Sequence, residues 1–119
     1  SWVRDYNLKN EELAITDTYS LKSRDASDVE VFMVQGQVYL PGDTTPDGYK
    51  VNAGQTVVVN NDLNILMTYP VQLKPSVDVK ELIDKPLTNV WGETLRRISY
   101  TSAADAPLNG KYVFKIKKL

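Results

Sequence analysis

The sequence predicts an all-β protein, an antiparallel β-sandwich or β-barrel with one short helix near residues 78–84. Three features of its 119 residues predict this class. Short stretches rich in Val, Ile, Thr and Tyr alternate apolar and polar residues, as half-buried strands do. Turn signals separate these stretches about every 8–12 residues, the spacing of sandwiches and barrels. Hydrophobic residues make up 42% and charged residues 24%, so a folded core is expected.

The N-terminal segment differs from the rest of the chain. Residues 1–12 are polar and show no sustained period, so they are predicted to form an arm ahead of a single β domain, residues 13–119. We expect this arm to be disordered in the isolated chain and ordered on a partner. The first strand is predicted between Leu13 and Leu21, where apolar side chains fall mostly on odd-numbered positions.

The strongest strand signal is Val29–Leu40, which is apolar on both faces, as central strands are. Gly36 inside it predicts a bulge or a bend. In the final segment, Asn109-Gly110 predicts a hairpin turn before a strand that alternates aromatic or aliphatic residues with lysines. Between these lie further predicted strands: Tyr49–Asn52, Gln55–Val59, Leu63–Tyr69, Val71–Lys74 and Leu95–Thr101.

One helix is predicted, over Asp78–Asp84. Asp78 can cap its first turn, and Glu81 stands three residues later as the partner of a capping box. Lys85-Pro86 would end it, because the residue before a proline disfavours helical backbone angles.

The chain contains no histidine and no cysteine. It therefore lacks the commonest general base, the commonest metal ligand and the best side-chain nucleophile. The oxygen-rich loop Asp43–Gly48 begins like a calcium loop, but Gly54 stands where that loop needs a glutamate, and turn chemistry accounts for its residues. No catalytic residue, metal or cofactor is predicted, and the protein is predicted not to be an enzyme.

Aromatic residues supply the first set of interaction candidates. The chain has seven tyrosines and two tryptophans against two phenylalanines. Tyr and Trp combine an apolar face with a polar tip, which suits surfaces that bind proteins or sugars. Those outside the clearest strands are the candidates: Trp2, Tyr6, Tyr49 and Trp91.

Lysines supply the second set. The last strand places Lys111, Lys115 and Lys117 on one face, where they could contact phosphates. Because the net charge is −1 and no nucleic-acid-binding motif is present, nucleic acid is not an expected partner. The role predicted for these lysines is to discourage unwanted pairing at an edge strand.

Charge is uneven along the chain. Residues 1–48 hold nine acidic and four basic residues, whereas residues 96–119 hold one acidic and six basic residues. Two interpretations stay open. The two segments can pair within one fold or be solvated, or the acidic end of one copy can meet the basic end of another.

Together these features predict a non-enzymatic structural or interaction domain. The specific prediction is a small assembly protein, such as a capsid decoration (cement) protein of a virus, with self or a larger assembly as its partner and a virion or extracellular surface as its location. The alternative is a carbohydrate-binding or adhesin-type domain of an extracellular protein, which would use Tyr49 and Trp91. No apolar run approaches the roughly 20 residues that span a bilayer, so no membrane partner is expected.

Overall fold

A computed structural model describes residues 2–21, 29–61, 63–81, 94–103 and 106–119. These residues form two antiparallel sheets, one with the strand order β1-β2-β9-β6-β5-β4 and one with the order β3-β8-β7. The nine strands are β1 (Trp2–Lys9), β2 (Glu12–Ser20), β3 (Val29–Val34), β4 (Gln37–Tyr39), β5 (Gln55–Asn60), β6 (Leu63–Thr68), β7 (Lys74–Glu81), β8 (Thr94–Thr101) and β9 (Asn109–Lys118). The all-β prediction is confirmed. The larger sheet does not close into a barrel, because β1 and β4 lie at its opposite edges.

The main core lies between the two sheets. Tyr100 of β8 and Phe114 of β9 are fully buried, with ring centroids 5.3 Å apart. A buried phenol needs a hydrogen-bond partner, and the Tyr100 hydroxyl lies 2.6 Å from the Thr56 hydroxyl of β5. Burial raises the pKa of Tyr100 well above its ordinary value. This bond therefore joins the sheets with a neutral polar pair inside an apolar core.

A smaller core covers the outer face of the larger sheet. The segment between β4 and β5 folds back over β5 and β6, so that Val51 packs with Val57 and Leu66. Two acidic residues of this segment accept hydrogen bonds. Leu40 N–H donates to Asp43, and the Asn64 side-chain amide donates to Asp47. The Asp43 bond is local to the turn, whereas the Asp47 bond joins the loop to β6.

Because of Gly36, the apolar stretch that begins at Val29 supplies one strand to each of the two sheets. The chain leaves β3 of the smaller sheet and enters β4 of the larger one through Gln35 and Gly36. Gly36 has a φ of +123°, and a Cβ atom at this position would lie 2.4 Å from the Val59 carbonyl oxygen. Only glycine fits both conditions. The bend expected at Gly36 is therefore present, and it is a change of sheet.

The predicted helix is corrected by the structure. Asp78, Val79, Lys80 and Glu81, where the helix was expected to begin, lie in β7 and pair with β8. Pairing with a full-length neighbouring strand outweighs the local capping signal. Residues 82–84 lie outside the described residues. The described part of the chain contains no helix, and so none that could cross a membrane.

The predicted arm is also corrected as far as residues 2–9 are described. They form β1, which pairs with β2 along its whole length. Asn10 and Glu11, with φ values of 53° and 63°, make the two-residue turn that joins the strands. These residues therefore belong to the larger sheet.

The central position expected for residues from Val29 onward is wrong for β3. This strand is an edge of the smaller sheet, with β8 on one side. The apolar outer row of β3 is exposed, because no second layer covers that face among the described residues. This row consists of Val29, Val31 and Met33. Only the alternate residues of β3 face the core.

Candidate interaction surface on the first strand

Strand β1 carries large apolar side chains that are exposed. Trp2, Val3, Tyr6 and Leu8 are 42%, 53%, 64% and 73% exposed, respectively. Trp2, Tyr6 and Leu8 share the face of the sheet that carries the core, because side chains two residues apart lie on one face. This row faces the core side of the sheet, yet no second layer covers it in the part of the chain that the structure describes.

Two aromatic contacts anchor the start of this strand. The Trp2 ring stacks on Tyr19 of β2 at a centroid distance of 5.4 Å. Tyr19 in turn stacks on Tyr112 of β9 at 5.0 Å. Tyr19 and Tyr112 are buried, whereas Trp2 covers them and keeps one face exposed. The Trp2 indole therefore shields the edge of the core at Tyr19 from solvent.

A charged cluster with two buried carboxyl groups fixes the strand two residues later. The Arg4 guanidinium donates to both carboxylate oxygens of Asp17, at 2.6 and 2.7 Å. It also donates to Glu30 of β3, at 2.7 Å. The Asp17 side chain is fully buried and the Glu30 side chain 4% exposed. Arg4 therefore joins β1 and β2 of the larger sheet to β3 of the smaller one.

Burial sets the protonation of this cluster. It raises the pKa of Glu30 to about 8, and the Asp17 carboxylate beside it acts in the same direction. Burial would also raise the pKa of Asp17, but the hydrogen bonds from Arg4 outweigh it and hold that pKa below its ordinary value. At neutral pH the cluster thus holds one carboxylate, one guanidinium and one carboxylic acid. The partly exposed Arg4 charge balances the buried Asp17 charge, which limits the desolvation penalty of that carboxylate.

Within the described ranges, nothing covers the far end of β1, because β3 crosses the larger sheet obliquely. Glu30 meets Arg4, and Phe32 lies against Phe114 of β9 with centroids 5.1 Å apart. Val34 lies still further from β1, in a cleft with Ile65 of β6. Tyr6 and Leu8 therefore stay beyond the reach of β3.

The exposed row continues into an apolar cleft. Leu8 pairs with Leu13, and Leu13 pairs with Ile116 of β9, all on the core-facing side. Ile116 lines a cleft of about 390 Å³ together with Val34, Ile65 and other residues from both sheets. One end of the molecule thus carries a strip of apolar surface from the edge strand to the middle of the larger sheet.

The other predicted interaction residues are not brought to this surface. Tyr49 is half-buried, and its hydroxyl donates to Gln55 at 2.9 Å, so its ring belongs to the smaller core. Trp91 lies outside the described residues. Lys111, Lys115 and Lys117 are exposed on the outer face of β9, opposite to the apolar strip. Because β9 lies between β2 and β6, the edge-protection role predicted for these lysines is wrong.

The cluster of Arg4, Asp17 and Glu30 was missed by sequence reasoning, although a signal for two members was present. Asp17 lies between Ile15 and Tyr19 in the alternating core row of β2, and Glu30 occupies the core-facing row of β3. An acidic residue in a core row predicts a buried partner. Nothing in the spacing selects Arg4 as that partner, because strand order decides it.

Comparison with known proteins finds no protein-family model and no curated protein that matches this sequence.

Proposed function

We propose that this chain is a non-enzymatic interaction domain that docks on a protein partner through β1. The observation that carries the proposal is the row of exposed Trp2, Tyr6 and Leu8 on the core-facing side of an edge strand. Aromatic side chains at a surface concentrate binding energy, because each buries a large area while losing few rotatable bonds. We further infer that the two sheets pack as a β-sandwich, since one core is shared between them.

The strand is held firmly enough to serve as a docking surface. Arg4 ties it to both sheets through three short hydrogen bonds, and Trp2 stacks on the core. A surface fixed in this way loses little conformational entropy when a partner binds. Tyr6 and Leu8 lie directly after these anchors, so a partner meets a rigid row.

Non-enzymatic function is supported by the chemistry of the described residues. Their most unusual carboxyl groups, on Asp17 and Glu30, are buried and bonded to Arg4. They hold strands together, and substrate would not reach them. Tyr49, one of the residues that the carbohydrate-binding alternative would use, has its hydroxyl bonded to Gln55. Protein docking is therefore the function we put forward.

A capsid decoration protein is one member of this class, and it would use the same strand. The structure differs from two of the features on which that narrower prediction rests. Residues 2–9 are a strand, and the acidic and basic segments lie side by side, with Glu12 of β2 opposite Lys117 of β9. The support that β1 gives therefore applies to protein docking in general.

Site-specific photo-crosslinking in cells that make the protein tests this proposal. A benzophenone amino acid at Tyr6 is expected to give an adduct of defined mass, whereas the same group at Val71 gives none. Val71 is the matched control, because it is 74% exposed but lies in the connection between β6 and β7. The Tyr6 adduct should disappear with Leu8→Lys and persist with Val71→Lys. Equal adducts from both positions, or none from Tyr6, would contradict docking through β1.

A further inference from the structure

We propose that the free edge of β1 pairs antiparallel with β1 of a second copy, in a register centred on Asn7. This inference rests on the proposed function and names the partner for the same strand. It depends on the backbone groups at the edge, on the charges along it and on the state of the other edges.

The hairpin turn decides which backbone groups face the open edge. Asn10 and Glu11 both have positive φ, so Lys9 and Glu12 close a type I′ turn with a hydrogen bond. Hydrogen-bonded pairs alternate with non-bonded pairs in an antiparallel ladder. Odd-numbered residues of β1 therefore bond to β2, and the even-numbered ones direct N–H and C=O outward: Trp2, Arg4, Tyr6 and Leu8. No described strand uses these outward groups.

An antiparallel pairing centred on Asn7 uses them in register. Tyr6 of each copy lies opposite Leu8 of the other copy. Each of these two pairs exchanges two backbone hydrogen bonds. On the outer face, Asp5 lies opposite Lys9 of the other copy, also twice. These are non-bonded positions, where facing side chains come closest, so both charge pairs are favourable. A two-fold axis makes the contact closed, and assembly stops at a dimer.

The remaining edges of the described sheets are less suited to this contact. β4 is only three residues long. Pro75 removes a backbone donor from β7. On β3, the one charged residue is Glu30, which is already bound to Arg4. β1 is eight residues long, contains no proline and carries complementary charges along its length.

Light scattering across about 1 µM to 1 mM protein tests the pairing. A contact of about five residue pairs is small for a protein interface, so we expect a dimer that dissociates on dilution. Asp5→Lys places lysine opposite lysine twice, and Lys9→Asp places aspartate opposite aspartate twice. Each variant alone should dimerise at least tenfold more weakly than the unmodified chain.

Mixing the two variants is the decisive measurement. A chain with Lys at both positions faces one with Asp at both positions, so the mixture should recover the dimer. Lys50→Asp is the matched control, because it makes the same charge change at an exposed residue of the segment between β4 and β5, and it should dimerise like the unmodified chain.

Three outcomes would overturn the pairing. The unmodified chain could be a monomer throughout, both charge variants could dimerise normally, or their mixture could stay monomeric. None of these touches docking through β1, which the Tyr6 crosslink decides by the mass of its adduct. An adduct of two chains supports self-pairing, and one of another mass assigns the strand to a different protein.

Discussion

Glu30 is the residue whose environment departs most from what its chemistry prefers. Its side chain is 4% exposed, and its Oε1 atom has no hydrogen-bond partner in the described part of the chain. A buried charge with an unmet acceptor is costly, and protonation removes the charge. Since Arg4 and Asp17 already balance, a neutral Glu30 completes a neutral cluster. Above about pH 4.5, stability should therefore depend on pH through the Glu30 carboxyl group.

We predict that the free energy of unfolding falls as pH rises from about 4.5 to about 8, because the folded state holds the Glu30 proton more tightly than the unfolded chain does. Glu30→Gln stays neutral at every pH, so it should flatten this slope. The gain over the unmodified chain at pH 9 should be on the order of a few kcal/mol. Urea unfolding followed by tryptophan fluorescence between pH 5 and pH 9 measures it.

The control for this prediction is Glu11→Gln, the same chemical change in the exposed hairpin turn. It keeps the Glu30 carboxyl group and should keep the slope. A Glu30→Gln protein that retains the pH dependence of the unmodified chain would place the titrating group elsewhere. Asp17 acts in the opposite direction, since its pKa lies below the ordinary value, and the stability it provides is lost only as pH falls below about 4.

At the level of elements, the connection from β3 to β4 is closely packed around Gly36. The Gly36 backbone carbonyl accepts a hydrogen bond from Arg96 at 2.5 Å. Its Cα faces the Val59 carbonyl oxygen closely enough to exclude a methyl group. The position is thus constrained by φ, by space and by a hydrogen bond at once.

Gly36→Ala should therefore destabilise the protein by more than backbone strain alone, about 3 kcal/mol or more. Gly42→Ala is the matched control, because Gly42 also has a positive φ of +96° but nothing lies within 4 Å of its would-be Cβ atom. It should cost only about 1 kcal/mol. The difference between the two midpoints in urea isolates the steric part. Equal losses would show that φ alone matters at Gly36.

Strands with a clear alternation of apolar and polar residues were predictable from the sequence. Strands whose local sequence signal disagrees with their place in the sheet were not. β2 and β9 alternate apolar and polar residues, and both were expected. β1 was missed because Arg4 occupies a core-facing position, which breaks the apolar pattern of its row. β7 was mistaken for a helix because Asp78 and Glu81 mimic a capping box. In each case a partner strand, invisible in the local sequence, decides the outcome.

For the whole molecule, the chain order of strands differs from their spatial order in one important place. β9, the last strand, lies between β2 and β6 near the middle of the larger sheet. The sheet cannot form its core-facing surface until this strand arrives, and Phe114 supplies its centre. Strand order of this kind could not be predicted, because alternation fixes which face is buried but not which strands are neighbours.

We therefore predict that a chain ending at Ala106 does not fold, since β2 and β6 lose their common partner. Circular dichroism and amide proton NMR should show an unfolded chain. Removal of Leu119 alone is the control. It deletes one hydrogen bond, from Leu119 N–H to the Asn64 carbonyl, and should leave the fold intact. A cooperative thermal transition in the chain that ends at Ala106 would contradict a central role for β9.

The described connections between the two sheets are distributed unequally over the two ends of the molecule. The bend at Gly36 lies at the end opposite to the others. Among the nine described strands the chain changes sheet four times, from β2 to β3, β3 to β4, β6 to β7 and β8 to β9. Three of these passages lie at the end where Ser20 pairs with Asn109 and Lys74 pairs with Thr101. The passage through Gly36 is at the other end, beside the apolar cleft. On the cleft side, the described sheets are therefore joined by one short connection. The length of this connection at Gly36 limits how far the two sheets can separate there.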